Sequence, residues 1–102
     1  MLNVVVLMGR LVADPELRRT QNDTAVCSFR IAVDRNFVSK TSGERQTDFI
    51  DVVAWRGTGE FVSRYFTKGQ MIAVTGSIQT RSYEDKQGNR RTAVEVVADN
   101  VS

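Results

Sequence analysis

Histidine is absent, and cysteine occurs once, at Cys27. Without imidazole, the commonest metal ligand and the commonest general base are both missing. A lone cysteine has no partner for an intramolecular disulfide, which fits a reducing, cytoplasmic setting. Proline also occurs once, in Asp14-Pro15-Glu16. No apolar run approaches the roughly 20 residues that span a bilayer, so no membrane role is expected. The start, Met1-Leu2-Asn3-Val4-Val5-Val6, has neither the basic opening nor the small-residue cleavage site of a secretion signal. Charge of one sign is scarce too: the formal net charge is only +2, which by itself says little about a polyanionic partner.

What is present is more telling. The 102 residues are enough for one domain, residues 1–102, and leave no room for a second. Apolar residues make up 41%, too many for a disordered chain. Among the cations, eleven Arg stand against three Lys. Arg forks onto phosphate and stacks on planar groups, whereas Lys acts as a point charge.

Turn residues cluster at Gln21-Asn22-Asp23, Ser42-Gly43, Lys68-Gly69 and Gln87-Gly88-Asn89, and short β-branched stretches lie between them. That punctuation predicts a compact all-β domain. A first strand runs from about Asn3 to Val12, apolar at nearly every position, so both of its faces should be covered. A second runs from about Thr24 to Asn36. There Ala25, Cys27, Phe29, Ile31 and Val33 alternate with Ser28, Arg30 and Asp34, giving one buried and one wet face. A third is Thr47 to Trp55. Gly57 to Lys68 has helical spacing, with Phe61, Val62, Tyr65 and Phe66 on one side, Thr58 placed to cap its start and Gly69 to end it. The fourth and fifth strands, Met71 to about Tyr83 and about Arg91 to Val101, form a hairpin. Three strands, one helix, two strands is the element order of a five-stranded OB-fold Greek-key barrel with its helix between strands three and four.

Parity within the strands singles out the candidate site. In the third strand Ile50, Val52 and Ala54 share one face, and Phe49, Asp51, Val53 and Trp55 share the other. Asp51 is costly to bury unpaired, so its face is the wet one, and Phe49 and Trp55 lie on it. In the fourth strand Ile72, Val74, Gly76 and Ile78 form the apolar set, while Tyr83 shares the polar face with Arg81. Aromatic rings left in water beside Arg56 and Arg81 suit the stacking of nucleic-acid bases, since every base has a π-face. Phe37 has core parity and needs a bulge, or a strand ending near Arg35, to join them. Phe29, Phe61, Tyr65 and Phe66 are assigned to the core. A surface ion pair between Asp51 and Arg56 is expected.

The same residues carry a resemblance. Leu7-Met8-Gly9-Arg10-Leu11 with Asp14-Pro15-Glu16-Leu17-Arg18 resembles the opening of bacterial single-stranded DNA-binding proteins. Asp48-Phe49-Ile50-Asp51-Val52-Val53-Ala54-Trp55-Arg56 resembles their third strand, and Tyr65-Phe66-Thr67-Lys68-Gly69 their helix end. Gly76-Ser77-Ile78-Gln79-Thr80-Arg81-Ser82-Tyr83 with Glu95-Val96-Val97-Ala98 resembles the last hairpin. The resemblance implies a cytoplasmic, nucleoid-associated homotetramer that wraps single-stranded DNA in replication, recombination and repair. It implies stacking by Phe37, Phe49, Trp55 and Tyr83. Arg10, Arg18, Arg35, Arg56, Arg81 and Arg91 are the expected phosphate contacts. Family members continue into a flexible tail with an acidic, hydrophobic tip that recruits repair enzymes. This sequence stops at Asn100-Val101-Ser102, so the expectation is a DNA-binding core, cut from a longer protein or a short paralogue, without tail-mediated recruitment.

No catalytic constellation, cofactor or metal is expected, so the chain reads as a binder and not an enzyme. Cys27 alternates with Ala25 and Phe29 as a buried thiol does. Asp14, Asp34, Asp51, Asp85 and Asp99 are scattered, and Gly57-Thr58-Gly59 lacks the spacing of a phosphate loop. The competing reading is an OB-fold interaction module whose aromatic face docks another protein. A cold-shock-like RNA binder is disfavoured because that family's dense aromatic motif is missing. The doubly apolar first strand predicts a subunit contact, since one barrel interior covers only one of its faces.

Overall fold

The computed structural model describes residues 1–38, 43 and 45–102; the side chains of Phe37 and Val38 lie outside that description. Its elements are β1 (Val5–Leu11), β2 (Glu16–Arg19), β3 (Ala25–Val38), β4 (Arg45–Trp55), α1 (Arg56–Tyr65), β5 (Met71–Glu84) and β6 (Arg90–Val101). In the sheet they run β1-β5-β6-β4-β3-β2, and a further pairing of β1 with β3 closes five of the strands into a barrel. Among the described residues only β4 and β6 pair in parallel, through Val52↔Val96, Val53↔Val97 and Ala54↔Ala98. This is the expected OB-type barrel with one difference. The segment after β1 contains a short strand, β2, paired with Ala25 to Ser28, so α1 falls between the fourth and fifth strands in chain order.

The alternation read from the sequence builds the interior. Cys27, Phe29 and Ile31 from β3 and Val52 and Ala54 from β4 point inward, with Ile72 and Val74 from β5 and Val96 and Ala98 from β6. Each fully buried aliphatic side chain contributes about 1.5–3 kcal/mol. Val62 plugs one end of the barrel from α1 and is wholly buried. The helix sits flush because Gly59 has no side chain: a Cβ there would stand 2.5 Å from the Ala54 carbonyl oxygen.

Several expectations are corrected. Phe61 and Tyr65 are 43% and 58% exposed, and their rings pair at 5.0 Å. At 100° per residue Phe61 lies about 100° and Tyr65 about 60° around the helix from Val62, both to the same side, and a helix seated on a barrel end buries only a narrow stripe. The helix ends at Tyr65, and Gly69 lies beyond it in the turn before β5, its N–H donating to the Leu11 carbonyl. Thr58 caps nothing: α1 follows β4 directly, and its N-cap is Trp55 with no side-chain bond. Ile78 is 46% exposed because β5 runs past the end of the barrel. There the Asn3 side chain acts as one more strand residue, donating to the Ile78 carbonyl at 2.9 Å and accepting from its N–H at 3.0 Å. On β1 only one face is covered by the described residues. Leu11, Leu7 and Val5 meet the core, while Val6 and Met8 stand 72% and 62% exposed.

Candidate nucleic-acid interface

The barrel's outer wall is laid out by cross-strand register. On β4, Phe49 lies opposite Ala32, Asp51 opposite Arg30, Val53 opposite Ser28 and Trp55 opposite Val26. Phe49 and Trp55 are exposed on this wall, as parity predicts, with Asp51 between them. Six residue steps of strand separate the two rings, about 20 Å, so they are distinct platforms and not one stack. Trp55 is the hinge of the surface. It ends β4, caps α1 and borders two hollows. One, of about 780 Å³, is lined by Arg18, Arg30, Asp51, Arg81 and Glu95. The other, of about 630 Å³, includes Thr24, Arg56 and Gln79.

Tyr83 sits farther out, on the arm formed by β5 and β6 beyond the barrel, across from Arg91. The Arg81 guanidinium lies 5.7 Å from its ring centroid, within cation–π range. Phe37 lies in the outer part of β3, beyond a register shift between Asp34 and Val38; its side chain is outside the described residues. The pairing moves there by two residues, from Asp34↔Thr47 to Val38↔Arg45.

The arginines divide into two groups. Arg18, Arg56 and Arg81 line the hollows beside Trp55. Arg10, Arg35 and Arg91 line neither. Arg10 donates to the Gly69 carbonyl at 3.1 Å. Arg35 grips Asp48 with two donors at 3.0 Å and also Gln46. Arg91 donates to Asp85 at 3.0 Å. These contacts leave electrostatic traces. The Arg35 guanidinium holds the Asp48 carboxyl below its ordinary value. Arg91, helped by the Asn89 and Gln87 N–H groups, does the same for Asp85. Burial pushes the Cys27 thiol up, as suits a structural cysteine.

Residues 2–102 match the Single-strand binding protein family. The chain belongs to that family. It is 52% identical over 101 residues to the single-stranded DNA-binding protein of Caldanaerobacter subterraneus subsp. tengcongensis, covering 99% of this chain and 67% of that one. It is 50% identical over 101 residues to the single-stranded DNA-binding protein A of Bacillus subtilis, covering 99% and 58%. With the Streptococcus mutans single-stranded DNA-binding protein the figures are 49% over 100 residues, 98% and 60%. The chain thus spans about three-fifths to two-thirds of these relatives' lengths.

Two features of the family surface were not legible from single strands. The expected Asp51–Arg56 pair does not form; Asp51 accepts from Arg30 at 2.8 Å instead. The two are register partners on adjacent strands, whereas Arg56 has already turned into the helix with φ of 55°. Arg30 and Glu95, which line the larger hollow, were therefore missed as site residues. The wet-face parity of Arg30 was the available signal. Among the described residues no group of three or more His, Cys, Asp or Glu side chains is placed to hold a metal ion. No helix among them is long and apolar enough to cross a membrane.

Proposed function

We propose that the chain binds single-stranded DNA without sequence preference and coats it during replication, recombination and repair. The observation that carries this reading is Trp55, a half-exposed ring between two hollows lined by arginines. Bases stack on Trp55, Phe49 and Tyr83, with Phe37 as a fourth ring. Arg18, Arg56 and Arg81 take the nearest phosphates; Arg10, Arg35 and Arg91 meet the strand farther along. Unpaired bases suit such a surface because their faces are free, whereas a duplex hides them. The names of the similar proteins support the same ligand.

The working form is a homo-oligomer, a homotetramer by the family resemblance. Val6 and Met8 on the outer face of β1, with Val4 before it, give the apolar strip for a subunit contact. Sedimentation at micromolar concentration should show an assembly larger than the monomer.

Trp55 is the only tryptophan, so its fluorescence reports on its own face. Titration with poly-dT should quench it strongly at low salt, and binding should weaken steeply as NaCl rises, because phosphate contacts release counterions. Absence of quenching at low salt, or equal affinity for duplex DNA, would overturn the reading.

A further inference from the structure

The floor of the larger hollow is a line of four charges across four strands. Arg30 on β3 pairs with Asp51 on β4 at 2.8 Å. Arg81 on β5 pairs with Glu95 on β6 at 3.6 Å. The parallel register begins at Val52↔Val96, and the residues just before that pair on the two strands are Asp51 and Glu95. The order across the wall is therefore Arg30, Asp51, Glu95, Arg81, with the two carboxylates as inner neighbours. All four line the hollow that Trp55 and Arg18 border.

We propose that Asp51 and Glu95 are built-in competitors of DNA phosphate, occupying the Arg30 and Arg81 guanidinium groups and so setting the affinity of this face. The inference rests on the proposed single-stranded DNA binding. Two neighbouring carboxylates repel each other, and each is neutralised by the arginine on its far side. A phosphate that takes one arginine must displace a carboxylate and then face it uncompensated. The Arg30, Asp51 and Arg81 side chains are 55%, 53% and 61% exposed, so partner exchange needs no opening of the core. Glu95, at 21%, is the more enclosed member. The floor carries no net charge at rest, which keeps the wall from holding polyanions indiscriminately.

The test is oligo-dT titration by Trp55 fluorescence over a series of NaCl concentrations, with wild type, Asp51→Asn, Glu95→Gln, Arg30→Ala and the Asp51→Asn/Arg30→Ala double variant. Thermal melts check that each is folded. Asp51→Asn should bind tighter at low salt, on the order of threefold to tenfold, because one freed guanidinium gains a phosphate. Its plot of log affinity against log salt should steepen by about 0.7, the increment for one single-strand phosphate contact. Glu95→Gln should act in the same direction through Arg81. Adding Arg30→Ala to Asp51→Asn should remove both the gain and the added slope. Unchanged affinity and slope in both carboxylate variants would overturn the inference while leaving DNA binding intact. A gain that persists in the double variant would also overturn it, because the effect would then be diffuse charge and not competition for Arg30. A wild type that fails to quench would take down the binding reading and this inference with it.

Discussion

Replacing Phe49 by Ala tests the stacking surface without touching the fluorescent reporter. Phe49 is 63% exposed and faces only Ala32 across the strand pair, so little packing depends on it. An aromatic ring that buries about 150–250 Å² when enclosed keeps roughly a third of that here. At about 25 cal/mol per Å², and with a methyl group remaining, truncation costs about 1 kcal/mol. For a chain of this length that lowers Tm by about 4–8 °C and leaves the protein folded. Losing one stacked base costs about 1–3 kcal/mol of binding, which is roughly a 5- to 150-fold drop in affinity. No cation is removed, so the salt dependence should keep its slope. The assay is quenching of Trp55 by oligo-dT at several NaCl concentrations, beside a thermal melt. A folded variant that binds within about twofold of wild type would refute the assignment of Phe49 to bases. A loss of affinity accompanied by a shallower slope would show that Phe49 acts through a neighbouring arginine.

Arg56 holds a left-handed φ of 55°, which costs a non-glycine residue about 1–2 kcal/mol. Arg56→Gly should therefore leave Tm unchanged or raise it by a few degrees, while the salt slope of oligo-dT binding becomes shallower by about 0.7; a fall in Tm would contradict the strain. Gly76→Ala drives a methyl into the Val97 carbonyl oxygen where β5 and β6 pair, beside the irregularity at Thr75. It should cost about 1–3 kcal/mol or more and lower Tm by at least about 5 °C, read by calorimetry. Asp48 and Asp85 have folded pKa values below their unfolded ones, so their contribution is present above the unfolded carboxylate value and lost as pH falls through the folded one. Melts across that window should show stability dropping as pH drops, and the Asp48→Asn/Asp85→Asn double variant should drop less steeply.

The barrel was legible because its strands keep strict alternation where they border the core. Cys27, Phe29 and Ile31, then Val52 and Ala54, then Ile72 and Val74, all point inward as their parity requires. What the pattern missed depends on contacts between elements. Arg18 and its neighbours form β2 only because β3 offers them an edge; four residues reading Glu-Leu-Arg-Arg carry no strand signal of their own. Periodicity placed Phe61 and Tyr65 with Val62, but the width of a helix's buried stripe is set by what it rests on. A barrel end is narrow. Ile78 was misread for a related reason, since alternation says which face a residue takes and not where the barrel stops.

The site divides along the same line. Phe49 and Trp55 could be placed on one wall because β4 runs from one to the other in unbroken register with β3. Tyr83 followed from the same parity carried along β5. The arginines could not be sorted in this way. Whether a guanidinium is free for phosphate depends on the carboxylate opposite it on another strand, and chain order does not reveal that neighbour. Arg35 and Arg91 are tied to Asp48 and Asp85, while Arg18 makes only a long 3.4 Å contact with a serine hydroxyl. On the proposed reading, rings set where a base rests, and the carboxylates across the strands set which cations a phosphate reaches. On the competition proposed above, the carboxylates lower the affinity of this face and flatten its salt dependence, because each guanidinium they hold is one phosphate contact, and one counterion release, withheld.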